Sequence, residues 1–172
     1  MVRHVFAVAL FAATALAGMA RAAHPVLGGA APDCTLTALG DGPGVEIRQF
    51  RGKVLYVDFW ASWCTTCVKS FPFLNSLLHE FGDRGLQVLG INVDEKPDNA
   101  KAFLAKYPAH FTIAADKAGV CPRSFDVHAM PATYLIDRSG VIRFSHYGFK
   151  SEQTEQIRTQ VATLLAEPAP SK

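Results

Sequence analysis

The chain has 172 residues, a length that suits one domain, and 49% of them are hydrophobic, enough for a sizeable core. Lys and Arg number 17 against 15 Asp and Glu, but Arg3 and Arg21 fall within the first 22 residues, so the remainder carries 15 of each sign. That balance gives no electrostatic case for nucleic acid or an anionic membrane surface as a partner.

Residues 1–22 read as a secretory signal. Arg3 gives a positive start, Val5 to Ala17 carry no charge, and Ala20-Arg21-Ala22 has the small-x-small pattern of a cleavage site. The alternative is an uncleaved anchor, for which the run is short, since a spanning helix needs about 20 apolar residues. Residues 23–33, rich in Ala, Gly and Pro, read as a linker. Residues 34–167 are the expected folded domain, and 168–172 a tail. Four cysteines in an exported chain point to an oxidising compartment, read here as the periplasm.

Cys34 to Leu39 and Val45 to Ile47 flank the cluster Gly40-Asp41-Gly42-Pro43-Gly44 and predict a β-hairpin. Val54 to Trp60 is nearly all apolar, with Asp58 as its one charge, as expected of a strand buried at a sheet centre. Phe71, Leu74, Leu77, Leu78 and Phe81 then paint one face of a helix. Pro72 falls inside it and should kink it, and Gly82 and Gly85 should end it. Leu86 to Val93 reads as a strand. Pro97 opens a helix with Ala100, Phe103, Leu104 and Tyr107 inward, and Pro108 stops it. Phe111 to Ala114 is a short strand, and Asp116 to Phe125 a turn with a short helix. Thr133 to Ile136 and Val141 to Tyr147 form a hairpin through residues 137–140. Ser151 is the expected cap of a last helix with Ile157, Val161, Leu164 and Leu165 inward. Strands alternating with helices imply a parallel portion, and the closing hairpin an antiparallel edge.

Cys64-Thr65-Thr66-Cys67 lies at the strand-to-helix junction. Two cysteines two residues apart suit thiol–disulfide chemistry. The first sits at a helix N-terminus, where partial positive charge stabilises a thiolate. A zinc site would need a second pair, which is missing, so no metal is assigned. Nothing in the pattern calls for a nucleotide or another cofactor.

Four pieces in order carry a resemblance: Asp58 in Val57-Asp58-Phe59-Trp60, then Trp63-Cys64-Thr65-Thr66-Cys67, then Pro72, then Met130-Pro131-Ala132-Thr133-Tyr134-Leu135-Ile136-Asp137. Together they resemble the thioredoxin superfamily, and most closely its exported TlpA/ResA-like branch. The features of that branch are the leading Ala31-Pro32-Asp33 hairpin, the segment inserted from Val93 to Ala114, and the ending that runs to Gly140. The resemblance implies an α/β, thioredoxin-like fold with an N-terminal β-hairpin and a β/α insertion, its central mixed sheet flanked by helices. It implies that Cys64 is the exposed nucleophile, Cys67 the buried resolving thiol, and Asp58 a buried carboxyl that moves the proton resolution requires. Pro131 is expected to be cis, with the Met130 backbone pairing with substrate. Trp63 is expected as a half-wet wall beside Cys64.

The implied activity is an exported thiol:disulfide oxidoreductase acting on client proteins with cysteines or disulfides. Its electrons would come from a membrane donor of the DsbD/CcdA type, and the expected state is a monomer. A thiol oxidase, a thiol peroxidase and a non-catalytic binding module are the alternatives. The chain departs from its relatives at Thr65-Thr66, and at Ser70, where haem-maturation relatives carry glutamate. Cys34 and Cys121 stand where relatives carry apolar residues. They read either as small buried hydrophobes or as a structural disulfide, because sequence does not reveal the separation of their Cα atoms. His128 reads either as a surface residue or as a neighbour of the proline loop.

Overall fold

A computed structural model describes residues 27–40 and 42–169; the expected signal segment lies outside them. Seven strands form one mixed sheet: β1 (Thr35–Ala38), β2 (Val45–Glu46), β3 (Val54–Trp60), β4 (Leu86–Asn92), β5 (Thr112–Ala115), β6 (Ala132–Ile136) and β7 (Ile142–Tyr147). Four helices accompany them: α1 (Cys67–Phe81), α2 (Pro97–Lys106), α3 (Val120–Ser124) and α4 (Thr154–Ala166). The strand order is β2-β1-β5-β4-β3-β6-β7. β3, β4 and β5 run parallel, while β6 pairs antiparallel to β3, and β1 antiparallel to β5. The expected mixed sheet is therefore present, with an antiparallel portion at each side rather than at one.

Every residue of β3 is buried, as its unbroken apolar run requires of a strand covered on both faces. Side chains alternate between faces along a strand. Tyr56, Asp58 and Trp60 thus point to one layer, and Leu55, Val57 and Phe59 to the other. The first layer is packed by Phe71, Leu74 and Leu77 of α1, Ala100 and Phe103 of α2, and Ile157, Val161 and Leu164 of α4. Each aliphatic side chain buried there contributes about 1.5–3 kcal/mol. The second layer is filled by Leu36, Ile47, Cys34, Cys121 and Phe125.

Pro72 lies inside α1, which extends from Cys67 to Phe81. The residue is on the exposed side of the helix, so the carbonyl it leaves without an amide partner stands near solvent. α1 ends at Phe81 with Gly82 as its C-cap, as expected. A 3₁₀ turn continues to Arg84, and Gly85, at φ 106°, ends it in a conformation that other residues rarely adopt. Ser151 is not the cap of α4. It opens a 3₁₀ turn, and the Thr154 hydroxyl donates back to its carbonyl at 2.8 Å, so the helix starts three residues later. The second half of the expected linker is tied down: Gly28 and Ala31 donate their amides to Ile142 and Gly140, and Ile142 donates to Gly29.

Cys34 and Cys121 form a disulfide with their Cα atoms 5.6 Å apart. It joins the strand entering β1 to α3, and both residues are buried. The Cys121 amide also donates to the Asp116 carboxylate. Phe125, at the end of α3, accepts the Tyr134 hydroxyl at 2.6 Å, which fastens that segment to β6.

Candidate active site

β3 ends at Trp60, a short turn follows, and α1 begins at Cys67. The turn puts Cys64 and Cys67 at the carboxyl end of the central strands, the usual place for a site in an α/β sheet. The two cysteines form a disulfide with Cα atoms 5.3 Å apart. Cys67 is fully buried, and Cys64 is only 5% exposed. The expected order of exposure holds, but the expectation of an openly exposed Cys64 is corrected. Its sulfur is turned in toward Cys67, and the outward position belongs to Trp63, which is 65% exposed.

Cys64 reaches solvent through a cleft of about 360 Å³ between α1 and α2. Ser62, Thr65 and Val68 line one side of it, and Asn99, Phe103 and Lys106 the other. The Cys67 amide donates to Cys64 Sγ at 3.2 Å, and the Thr66 hydroxyl lies 3.6 Å from the same sulfur. Ser70 is buried and donates to the Cys67 carbonyl at 3.1 Å, so its hydroxyl is spent on the first turn of the helix.

Asp58 is completely buried on the same side of the sheet as Cys67, and neither carboxyl oxygen has a hydrogen-bond partner among the described residues. Burial pushes its pKa well above the ordinary carboxylate value of 3.8. The Tyr56 hydroxyl beside it is pushed up as well, by burial first and by the nearby carboxyl second. On β4 the register partner of Asp58 is Gly90. A Cβ there would stand 2.7 Å from Ile113 Cδ1, 3.0 Å from Phe111 Cε2 and 3.2 Å from the Trp60 indole nitrogen. A side chain in that position beside the carboxyl would have to displace the Ile113 side-chain end.

The Met130–Pro131 bond is cis. The Gly148 amide donates to the Pro131 carbonyl at 2.8 Å, which ties the loop to the end of β7. Met130 packs against the apolar layers on both sides of the sheet. His128 is a surface residue, 73% exposed and 2.9 Å from the Asp126 carboxylate.

Sequence reasoning missed a clamp on the turn that carries the cysteines. Asp94 accepts the Ser62 amide at 2.9 Å, the Ser62 hydroxyl at 2.8 Å and the Asn92 side-chain amide at 2.8 Å, and it donates its own amide to Asn92 Oδ1 at 3.1 Å. Asp94 and Asn92 are buried and Ser62 is half-buried, so the amide of Asn92 above all would lack water without Asp94. The available signal was the pair Asn92-x-Asp94 directly after an apolar strand, at the edge of the sheet where the cysteines also lie. Asp94→Ala is expected to cost roughly 1–3 kcal/mol for the unpaired buried groups and to slow disulfide exchange by loosening the turn. Urea unfolding and a client-reduction assay check the two effects. Asp94→Asn, which keeps one acceptor oxygen, should fall between.

Comparison with known proteins agrees with this geometry. The family model described as Redoxin matches residues 27–161. The thiol-disulfide oxidoreductase ResA of Bacillus thuringiensis subsp. konkukian is 31% identical over 130 residues, covering 76% of this chain and 73% of the relative. A crystal structure from Chlorobium tepidum, provisionally described as the thiol:disulfide interchange protein DsbE, superposes with a TM-score of 0.79 at 39% identity, covering 83% of this chain and 99% of that one. A solution structure from Bacteroides thetaiotaomicron, provisionally described as a protein disulfide isomerase, superposes with a TM-score of 0.75 at 27% identity, covering 83% and 92%. With a paired CxxC at the head of α1 and a mixed sheet behind it, this chain belongs to the Redoxin family and is a ResA/TlpA-like thiol:disulfide oxidoreductase of the thioredoxin superfamily.

Proposed function

We propose that the protein is exported through its first 22 residues and reduces disulfides in client proteins of the periplasm, acting through residues 34–167. The observation that carries this reading is the asymmetric pair. Cys64 opens on a surface cleft, while Cys67 is fully buried on the side of the sheet that also holds the Asp58 carboxyl, which has no hydrogen-bond partner among the described residues. Exchange through a mixed disulfide needs one sulfur within reach of the client and a second protected until resolution. In this scheme the Cys64 thiolate attacks the client disulfide and Cys67 resolves the mixed disulfide, with Asp58 taking up the Cys67 proton. Trp63 and the Met130–Pro131 loop receive the client, whose extended backbone pairs at Met130. A membrane thiol donor of the DsbD/CcdA type restores the dithiol, and the protein acts as a monomer. The relatives support the chemistry, and the sequence pattern of residues 1–22 supports export. Among the described residues no helix is long and apolar enough to cross a membrane.

The test is the reduction potential of Cys64–Cys67 against glutathione, together with trapping by Cys67→Ser. A potential near that of thioredoxin, about −270 mV, supports the reductase. One near that of DsbA, about −120 mV, overturns it in favour of an oxidase. Clients held on Cys64 by the trapping variant should contain a disulfide that the wild-type protein opens.

A further inference from the structure

The inference rests on the reading of Cys64 as the sulfur that attacks the client, and concerns what the cleft beside that sulfur accepts. Asn99, Ala102, Phe103, Lys106 and Tyr107 follow the i, i+3, i+4, i+7 spacing of one helix face, and all five line the cleft. Phe103 is its fixed floor. The ring is 6% exposed and lies 5.0 Å from Trp60, 5.1 Å from Phe71 and 4.9 Å from Tyr107, centroid to centroid. Trp63, Met130 and Pro131 are not among the residues that line the cleft, so it is a separate surface on the same sulfur.

The charge in this cleft has one source. Lys106 is the one ionic residue along its walls; the α1 side offers Thr65 and Val68. Asp98 and Lys101 stand outside the stripe and pair with each other at 3.8 Å. Asp94 is buried, and its carboxylate is taken by Ser62 and Asn92. Lys106 is exposed and has no ion-pair partner among the described residues. It stands in the last turn of α2, where the aligned carbonyls place partial negative charge. Its ammonium therefore reverses the sign that the helix end would otherwise give the cleft.

We propose that Lys106 is a specificity-determining residue: it favours client disulfides with an acidic side chain next to the attacked cysteine, whose carboxylate enters the cleft over Phe103 and pairs with the ammonium. In that exchange the Cys64 thiolate bonds to one client sulfur, the client S–S bond breaks, and the other client sulfur leaves as a thiolate. No electron or proton passes through Lys106. The ion pair anchors the half of the client that stays on Cys64. An exposed pair is worth little, so the effect is a preference of about two- to fivefold and not a requirement.

The test uses disulfide-bonded peptides that differ only in Glu or Gln beside the cysteine, placed before it in one pair and after it in another. At low ionic strength the wild-type dithiol should reduce the Glu peptide of at least one pair with a kcat/KM about two- to fivefold higher. Lys106→Met should bring that ratio to one, Lys106→Glu should invert it, and Lys106→Arg should keep it. Salt at about 1 M, where screening acts within about 3 Å, should abolish the wild-type preference. A ratio of one in both pairs, or a ratio that Lys106→Met leaves unmoved, overturns the proposal.

A second measurement needs no client. In Cys67→Ser, Cys64 is the one free thiol, because Cys34 and Cys121 are bridged. Its thiolate displaces iodide from iodoacetate or from iodoacetamide, forming an S–C bond as the C–I bond breaks. A change in thiolate population acts on both reagents alike, so the ratio of their rates reads the charge beside the sulfur. Lys106→Met should lower the iodoacetate-to-iodoacetamide ratio about two- to fivefold. An unmoved ratio overturns the proposal. A wild-type protein that reduces none of the peptides would defeat the exchange reading itself, and the alkylation ratio would still decide whether Lys106 draws anions to Cys64.

Discussion

Asp58→Asn is expected to slow release of a client from Cys64 by roughly 10²- to 10⁴-fold, the usual contribution of a positioned acid–base group, and to leave the first attack by Cys64 nearly unchanged. The difference follows from position. Cys67 is sealed in the layer that also holds Asp58, so its proton has no route to bulk solvent of its own, whereas Cys64 opens on the cleft. Single-turnover kinetics separate the steps: the mixed disulfide should form at the wild-type rate and then persist. Equal slowing of both steps would sink the assignment.

The same variant should be more stable than the wild type, increasingly so as pH rises. The folded-state pKa of Asp58 is raised by burial, while the unfolded value stays near 3.8. Below the unfolded value both states hold the proton, and the contribution of the neutral carboxyl is fully present. Above it the unfolded chain releases the proton while the fold retains it, so unfolding free energy falls as pH rises toward the raised folded value. Asparagine does not titrate and abolishes that slope. Urea unfolding at several pH values, with both disulfides formed so that no cysteine titrates, should show two curves that separate toward high pH. Curves that stay parallel would mean that the carboxyl is not held in its neutral form.

The second large effect is structural. The double variant Cys34→Ala, Cys121→Ala should lose about 4–5 kcal/mol of stability, because the bridge closes a loop with a sequence separation of 87 and restricts the unfolded chain accordingly. Domains of this size are stable by about 5–15 kcal/mol in all, so the variant sits near the threshold of folding. The bridge holds α3, and the chain runs from α3 through Asp126, at a positive φ of 55°, into the Met130–Pro131 loop. Proteolysis should therefore begin between 116 and 130 in the variant. An unmoved urea midpoint would show that the two cysteines are not bridged in the native protein.

The elements most legible in the sequence were those whose signal is local. The run from Val54 to Trp60 marked β3 at its observed bounds, Pro97 marked the start of α2, and the 157/161/164/165 spacing named the buried face of α4. Pairing was less legible, because the choice of strand partner is made between distant segments. Nothing in Thr35–Ala38 says that it lies against β5, on the far side of β4 from β3. For the same reason the sequence left Cys34 and Cys121 open, since only the fold sets a 5.6 Å separation. At the site, residue types announced Cys64, Cys67 and Asp58. Asp94 stayed hidden because its task is hydrogen bonding to Ser62, a partner 32 positions away. Thr66 was read as one half of a dipeptide, and its hydroxyl acquired a partner only once the turn was formed.

Gly90 places a limit on how the site can be re-engineered. Ile113, Phe111 and the Trp60 indole crowd the space beside it, so a lysine or arginine at that position must push these side chains aside before it brings a counter-charge to Asp58 from the neighbouring strand. A redesign meant to place such a charge beside the carboxyl must first widen the layer, by shortening Ile113 or Phe111.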